Sequence, residues 1–355
     1  MHLSKQTLLE LLKGQTSSYS LSSLGADQLA HFFVNTAFLI EAMGFLKEQL
    51  WLADKDSLTL KMQSSYEDFI NPLFTKKITS LLFLKDFLIE SGPKEIKKIT
   101  KNSITFEREV IDLIKSRSKI DQKEFIIKSL KEMELLFLEE EGSKVESEQS
   151  LGQQGIRLYR TFDKLDEIFA LNYQLDLDML VDHESKERLY QRSGVGVQSG
   201  YSTILLALNR MEAPIGSTVV DLGSGYGRVG LVCSLIRPDI KFLGYEYVPH
   251  RVDISNNATA AFGLEKSLRF KVQDLSLKSF SVPIADFYYL YDPFSEETYK
   301  YILDQIVRIS QERDITIITK GNARNWLVRI AKEHSWASPI YIDDSNLCIF
   351  RSFIK

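Results

Sequence analysis

The hydrophobic pattern changes its period partway along the chain. Up to residue 141, apolar side chains recur every three or four positions, which is the spacing of one face of an α-helix. Breaks are expected at Asn71-Pro72 and at Ser91-Gly92-Pro93, because proline removes a backbone donor and clashes with the preceding turn. This part predicts an all-helical N-terminal domain, with helical patterns at 26–51, 57–70, 73–89, 94–115 and 122–138.

From Ser217 onward, short apolar runs alternate with helical patterns. Such alternation predicts an α/β fold, in which a doubly wound and largely parallel sheet carries helices on both faces. Only a short turn separates the last two runs, so they are expected to form a terminal antiparallel hairpin. The strands are predicted at 218–221, 241–246, 268–273, 287–291, 315–319, 340–343 and 347–353.

Between these two parts lies a polar, acidic stretch that is poor in apolar residues and is the best linker candidate. After it, a helical spacing returns and indicates an arm that connects to the second domain. We therefore predict a helical domain at 1–141, a linker at 142–156 and an α/β domain at 157–355, within which 157–216 is the helical connecting arm.

Composition narrows the class of protein. The apolar fraction of 44% is ordinary for a soluble globular protein, and a net charge of −4 gives no bulk attraction to nucleic acid or anionic membranes. Cys233 and Cys348 lie in apolar patterns, which indicates buried free thiols and fits a reducing cytoplasm. No basic segment followed by an apolar run opens the chain, so no signal peptide is expected. The most apolar stretch, 31–46, is interrupted by Asn35 and Glu41 and is expected to be too short to span a bilayer. We predict a cytoplasmic protein without membrane attachment.

Residues 218–230 combine an apolar strand, a glycine-rich turn and the start of a helix. Glycines at alternate positions let a ligand approach the backbone and permit positive φ, and the helix that follows offers free N–H groups. Gly225-x-Gly227-x-x-Gly230 fits the dinucleotide fingerprint, so NAD is one candidate ligand. Asp221, at the end of the strand, would repel a pyrophosphate but suits a cationic cofactor that carries an amino group.

Asp221-x-Gly223-x-Gly225-x-Gly227 resembles motif I of the class I S-adenosylmethionine-dependent methyltransferases. The resemblance implies a Rossmann-like, seven-stranded core that ends in an antiparallel hairpin. It also implies S-adenosyl-L-methionine as the cofactor and methyl transfer as the reaction. The glycine- and serine-rich loop 190–203 would then be a lid over the methionine end of the cofactor, and a mobile loop without that role is the alternative.

Two further acids fit this motif. Glu246 ends the second predicted strand, about 20 residues after the glycines, where a carboxylate accepts hydrogen bonds from both ribose hydroxyls. The resemblance assigns Asp274 to the exocyclic amine of adenine and the N–H of Leu275 to a ring nitrogen, and a helix-cap or turn aspartate is the alternative. The predicted cofactor contacts are Asp221, Gly223, Ser224, Gly225, Gly227, Glu246, Tyr247, Asp274 and Leu275.

The fourth predicted strand ends in Tyr291-Asp292-Pro293-Phe294, which is expected to adjoin the first strand. As candidate catalytic residues, Asp292 would orient or deprotonate an attacking amine, and Tyr291 and Phe294 would wall a narrow channel for a cationic or planar target. An ordinary helix start at Asp292-Pro293 is the alternative. The tetrapeptide Asp292-Pro293-Phe294-Ser295 is similar to the Asp/Asn-Pro-Pro-aromatic motif of amino methyltransferases that act on adenine or glutamine, but it differs at the third and fourth positions.

The cofactor motifs are most similar to those of the seven-strand protein lysine methyltransferases, including the non-SET histone type. This resemblance implies a protein lysine as the methyl acceptor. The helical domain is larger than a lid over a small molecule requires, so we expect it to select or position a macromolecular partner. A nucleic-acid base or a small molecule is an alternative acceptor, and a non-catalytic cofactor-binding or interaction protein is an alternative of another class. Residues 94–131 include eleven basic and six acidic residues, a net charge of +5. These charges form either a solvent-exposed helix face or a surface that binds the phosphates of a nucleic acid. His183, His250 and His334 lack partners at metal-binding spacing, so no metal is predicted.

Overall fold

The structure, a computed structural model, describes residues 21–60, 66–76, 79–146, 162–176, 198–291, 294–342 and 346–353. The chain divides into two compact units. The first comprises Met1–Glu132 with Gln149–Leu165, and the second comprises Met133–Glu148 with Asp166–Lys355. The domain and linker boundaries expected from the sequence stay a prediction.

The described part of the first unit is helical. Helix α1 packs along α4, and the ring of Phe33 on α1 lies 5.7 Å from that of Phe125 on α5. The helices are α1 (Ala26–Leu60), α2 (Tyr66–Lys76), α3 (Lys85–Ser91), α4 (Lys94–Lys115) and α5 (Lys119–Glu146), with 3₁₀ turns at Leu21–Ser23 and Thr79–Leu84; the C-terminal end of α5 belongs to the second unit.

One of the two predicted helix breaks is wrong. Pro72 lies inside α2, and the helix continues through it because Ile70, Leu73 and Phe74 bury their side chains on one face. The second break is found, since α3 ends at Ser91 and Gly92 follows with a φ of 77°, donating its N–H to the carbonyl of Leu88.

Helix α1 is longer than the apolar stretch 31–46, which the sequence predicted to be too short to span a bilayer. The segment Ala26–Leu52 is long and apolar enough to cross a membrane by length and composition, because Asn35 and Glu41 do not interrupt the helix. Asn35 instead donates a hydrogen bond to the carbonyl of His31, at 2.7 Å. The most apolar window is 72% buried within the protein, and a core helix of a soluble protein meets the same criterion, so this segment is weak evidence for a membrane.

The second unit is built on a seven-stranded sheet with the order β3-β2-β1-β4-β5-β7-β6. Strands β1 to β5 are parallel, and β7 runs antiparallel between β5 and β6. The strands are β1 (Thr218–Leu222), β2 (Lys241–Glu246), β3 (Leu268–Val272), β4 (Phe287–Tyr291), β5 (Thr316–Lys320), β6 (Ile340–Ile342) and β7 (Leu347–Arg351). The predicted Rossmann-like seven-stranded core with a terminal antiparallel hairpin is confirmed.

Helices follow β1, β2, β4 and β5, as the sequence pattern predicts, whereas the described connection from β3 to β4 has no helix. The chain crosses from β3 at one edge back to β4 beside β1, so the order in which strands are added reverses between β1 and β4. Such a switch point is where open α/β sheets bind ligands. The helices of this unit are α6 (Leu165–Phe169), α7 (Tyr201–Met211), α8 (Arg228–Ile236), α9 (Pro249–Ala261), α10 (Glu296–Glu312) and α11 (Ala323–Glu333), with a 3₁₀ turn at Gln174–Asp176.

Over the described residues 162–176, the connecting arm holds one short helix and a 3₁₀ turn. Helix α6 is a single short element, and it ends where Ala170 adopts a left-handed φ of 58°. The N–H of Leu171 then returns to the carbonyl of Asp166, at 2.9 Å, which closes the helix end. The apolar spacing of this arm comes from separate turns, not from one helix.

Three glycines make room for one aromatic ring between the sheet and α8. A Cβ at Gly227, Gly230 or Gly244 would lie 2.6, 2.8 or 2.4 Å from the ring of Phe270 on β3. Contacts that short are sterically forbidden, so these positions must lack a side chain for the helix to lie this close to the strands. The glycine pattern therefore serves packing as well as the turn.

Candidate functional site

The glycine-rich turn lies at the carboxyl end of β1. Gly223, Gly225 and Gly227 have φ values of 101°, 53° and 79°, a left-handed conformation that residues with a Cβ rarely adopt. The N–H groups of Gly223 and Ser224 both donate to the carbonyl of Tyr245 on β2, at 2.9 and 2.8 Å. The turn is thereby fixed against the next strand, and α8 begins directly after it.

Glu246, at the carboxyl end of β2, joins this turn. One carboxylate oxygen accepts from the N–H of Gly225 at 2.9 Å. The other accepts from the N–H of Val248 at 3.1 Å and lies 3.5 Å from Nη1 of Arg251. A carboxylate has about four lone-pair positions, so these contacts fix its orientation and leave acceptor capacity for a ligand's hydroxyl groups.

Asp221 is buried beside Glu246, at the end of β1. Only 2% of its surface is exposed. Burial and the charge of Glu246 together raise the pKa of the Asp221 carboxyl well above its ordinary value. A cationic group in this crevice would stabilise both carboxylates, whereas an anionic pyrophosphate would meet their repulsion.

Other residues border the turn. Ser224 is buried, and its hydroxyl has no hydrogen-bond partner among the described residues, which fits a polar ligand in contact with the turn. A Cβ at Gly225 would lie 2.7 Å from the amide nitrogen of Gln198, so this side chain lies directly over the turn. The neighbouring Ser199 hydroxyl is 2.7 Å from that of Tyr289 on β4. Of the predicted lid, 190–197 lie outside the described residues, Gln198 lies against Gly225, and 201–203 form the start of α7.

The residues assigned to adenine lie after β3. Asp274 Oδ1 accepts from the N–H and the hydroxyl of Ser276, at 2.8 and 2.6 Å, as in the turn aspartate that was the alternative for this position. Leu275 is 1% exposed and packs in the apolar core, and Tyr247 is half-buried next to Glu246. The structure brings Asp221, Glu246 and the glycines together, and the adenine contacts stay a prediction.

The candidate acceptor side lies at the carboxyl ends of β4 and β5. Tyr291 and Lys320 are paired in register there, and the Lys320 ammonium lies 5.0 Å from the centre of the Tyr291 ring. This lysine is buried and donates to the hydroxyl of Thr203, at 3.3 Å. Asp292, the candidate catalytic acid, lies outside the described residues.

Phe294 corrects a detail of the acceptor prediction. Its side chain is fully buried in the core cluster, where its ring lies 5.0 Å from that of Tyr299 on α10. A ring without exposed surface cannot wall a substrate channel in this conformation. Sequence reasoning missed the role of position 294 because an aromatic residue after a strand can point either way.

Sequence reasoning also missed several buried charges around the site. Arg228 is the only charged residue in the apolar run that forms α8, and such isolation is a signal for burial with a partner. Its partner is Asp166, which also accepts from the hydroxyls of Tyr173 and Tyr201, at 2.7 and 2.8 Å. Burial, together with the Asp166 charge, raises the pKa of both tyrosines. Within the part of the chain that the structure describes, no His, Cys, Asp and Glu side chains are grouped to hold a metal ion.

No protein-family model matches this chain, and no curated protein matches it. Several solved structures are similar to part of it. A precorrin-6y C5,15-methyltransferase from Geobacter metallireducens GS-15 is 12% identical, with 44% of this chain and 89% of that chain covered at a TM-score of 0.35. An RNA methyltransferase from Salinibacter ruber, in complex with S-adenosyl-L-homocysteine, is 16% identical, with 44% and 92% covered at a TM-score of 0.34. The [4+2]-cyclase SpnF is 15% identical, with 34% and 44% covered at 0.29. Similarities this low carry no argument about the activity of this chain.

Proposed function

We propose that this chain is an S-adenosyl-L-methionine-dependent methyltransferase. The observation that carries the proposal is the pair of buried carboxylates, Asp221 and Glu246, around a left-handed glycine turn where the strand order reverses. A neutral ribose diol can donate to Glu246, and a cationic amino group can lie against Asp221. Ser224 offers a buried hydroxyl to the same ligand. This donor and acceptor set fits an adenosyl cofactor with a positive charge better than it fits NAD.

The bound cofactor would supply an electrophilic methyl group on its sulfonium sulfur. The protein then has to hold the nucleophile in line with that methyl group and exclude water, so orientation contributes most of the rate enhancement. Strand β4 lies beside β1 and β5 lies beside β4, and their carboxyl ends carry Tyr291 and Lys320. Asp292, which directly follows Tyr291, is the residue we assign to orienting or deprotonating the acceptor.

For the acceptor we propose a protein side-chain amine, most directly lysine. An amine must lose its proton before it can attack, and a nearby positive charge lowers its pKa. The buried ammonium of Lys320 supplies such a charge, and the Tyr291 ring already faces one ammonium at 5.0 Å. The net charge of −4 also favours a protein over a nucleic-acid partner. The helical N-terminal part would select or position this partner.

Calorimetry with S-adenosylmethionine, S-adenosylhomocysteine and NAD tests the cofactor. We expect the first two to bind and Glu246→Ala to weaken them by about 1.5–3 kcal/mol, the scale of hydrogen bonds to a charged group. The exposed Glu265→Ala is the matched control and should leave binding unchanged. Tight binding of NAD alone would end the proposal.

The acceptor is tested by transfer of a radiolabelled methyl group into a host-cell lysate that is then divided between protease and nuclease. A protein acceptor predicts label that protease releases and nuclease leaves. Label that disappears only with nuclease would instead point to a nucleic-acid base, with the basic residues of 94–131 as the phosphate contact. In that case binding would fall steeply with salt.

A further inference from the structure

Two buried arginines lie in the first turns of the helices that follow β1 and β2. Arg228 is the first residue of α8, and Arg251 is the third residue of α9. Their side chains are 1% and 5% exposed. The N-terminal end of a helix carries the positive end of its dipole, so a cation there is unfavourable, and burial adds a desolvation cost. Each arginine therefore needs a carboxylate at close range.

Both carboxylates come from one short segment, residues 166–176, which we call the clamp segment. Asp166 accepts from Nε of Arg228 at 3.0 Å and also from its Nη2. Asp176 accepts from Nε and Nη2 of Arg251, at 3.2 and 3.1 Å, and it is completely buried. Each pair thus has the two-point geometry that fixes an arginine rigidly.

Aromatic contacts hold the clamp segment along the same two helices. The ring of Phe169 lies 5.4 Å from that of Phe262, the residue directly after α9. The ring of Tyr173 lies 4.6 Å from that of Tyr226 in the glycine turn. Phe169 and Tyr173, together with the two aspartates, therefore fix the segment at four points against the elements that follow β1 and β2.

The two ion pairs differ in what the arginine touches next. Nη1 of Arg228 donates to the carbonyl of Ser199, at 3.0 Å, and holds the loop over the turn. Nη1 of Arg251 instead lies 3.5 Å from a carboxylate oxygen of Glu246. Only the second pair reaches the acid that we assign to the ribose.

Resting on the proposed function, we infer that Arg251 and Asp176 are positioning residues that prepare Glu246 to bind the ribose diol. Asp176 holds the Arg251 guanidinium at two points. Because Asp176 attracts the guanidinium, Arg251 stays 3.5 Å from Glu246 and does not pair with it alone. Arg251 in turn orients the Glu246 carboxylate and offsets its repulsion with Asp221. The clamp segment is thus a working part of the cofactor site, although its sequence lies far before the glycine motif.

The test is calorimetry of the full chain with S-adenosylhomocysteine and with its 2′-deoxy analogue. Asp176→Asn should weaken S-adenosylhomocysteine about tenfold while weakening the analogue less, because only the first ligand presents the intact diol to Glu246. Arg251→Lys keeps the positive charge and loses the two-point contact, so it should reduce the same preference. If Asp176→Asn does not fold, the Arg251→Lys variant provides the test instead.

The matched control is Asp239→Asn, which removes the carboxylate from the ion pair between Asp239 and Arg237. This pair lies just before β2, at the amino end of the strand and away from the cofactor site. It should leave both affinities and the preference for the diol unchanged. An equal loss for both ligands in Asp176→Asn, or no loss, would overturn the positioning role. If the unmodified chain bound neither ligand, the proposed function itself would fail, which is a different result.

Discussion

The carboxyl edge of the sheet has two halves that are built differently. At the ends of β1 and β2, the polar groups are fixed by backbone donors: Glu246 accepts two N–H groups, and the glycine turn donates two N–H groups to Tyr245. At the ends of β4 and β5, the polar groups are side chains, with Lys320 held by the Thr203 hydroxyl and the Tyr291 ring. A rigid backbone frame suits a cofactor that is the same for every acceptor. Side-chain contacts can be replaced by substitution, so they suit the half that has to match a particular acceptor.

The largest effect should come from the acceptor half. Asp292→Asn should lower turnover by about 10²–10³-fold, within the usual contribution of an acid–base group, with little change in affinity for S-adenosylhomocysteine. Turnover measured by methyl release and affinity measured by calorimetry separate the two quantities. The exposed Asp304→Asn on α10 is the control. A large loss of cofactor affinity in Asp292→Asn would contradict the division between the halves.

Side-chain volume added at the glycines of the cofactor half should destabilise the folded protein. Gly244→Ala would place a Cβ 2.4 Å from the Phe270 ring, and we expect it to lower the free energy of unfolding by about 1–3 kcal/mol. Gly142→Ala, on helix α5 with nothing within 4 Å of the added Cβ, is the control and should stabilise the protein slightly. Denaturant unfolding followed by circular dichroism measures both. Equal effects at the two positions would rule out the packing explanation.

Lys320 tests whether the acceptor half acts on an amine. Lys320→Met removes the charge that lowers the pKa of the acceptor, so turnover near neutral pH should fall about tenfold, the effect of one pKa unit. The rise of activity with pH should move to higher pH, and cofactor affinity should stay the same. Lys332→Met, exposed on α11, should change neither. A profile that does not move would exclude this role for Lys320.

Asp221 offers the smallest but most specific effect. Because its pKa is raised in the folded protein, the folded state keeps this proton at pH values where the unfolded chain has lost it. Stability from this group is therefore present below the ordinary carboxyl pKa of 3.8 and is lost as pH rises through the folded pKa. Asp221→Asn should remove that part of the pH dependence and stabilise the free protein at neutral pH, while weakening S-adenosylmethionine. Melting curves over a pH series, with and without the cofactor, check both expectations.

The sequence predicted the sheet well because its strands are short apolar runs with clear boundaries. Lys241–Glu246 and Phe287–Tyr291 agree at both ends, and the others differ by one or two residues. The glycine turn was predictable because its φ values admit few other residues. Pro72 was predicted as a break because local rules do not include the burial of Ile70 and Phe74 that keeps the helix together.

The buried charges could not be predicted, since their partners lie far apart in the sequence. Asp176 and Arg251 are 75 residues apart, and nothing local to Asp176 indicates that it is fully buried. Asp166 and Arg228 are likewise 62 residues apart. Tertiary pairing of this kind follows from the topology, which brings the clamp segment beside the helices after β1 and β2. Among these buried charges, the sequence indicates burial only for Arg228, because it is the single charged residue in an apolar helix.

The position of β7 has a consequence for how the protein is made. This strand lies between β5 and β6, so β6 has no partner in the sheet until β7 has been synthesised, and the outer edge of β5 stays open. During synthesis, which runs toward the C-terminus, an open parallel edge is a template for pairing with other chains. A nascent chain whose synthesis stops before Leu347 would therefore leave this edge exposed and should aggregate, whereas β7 covers the edge once it is added.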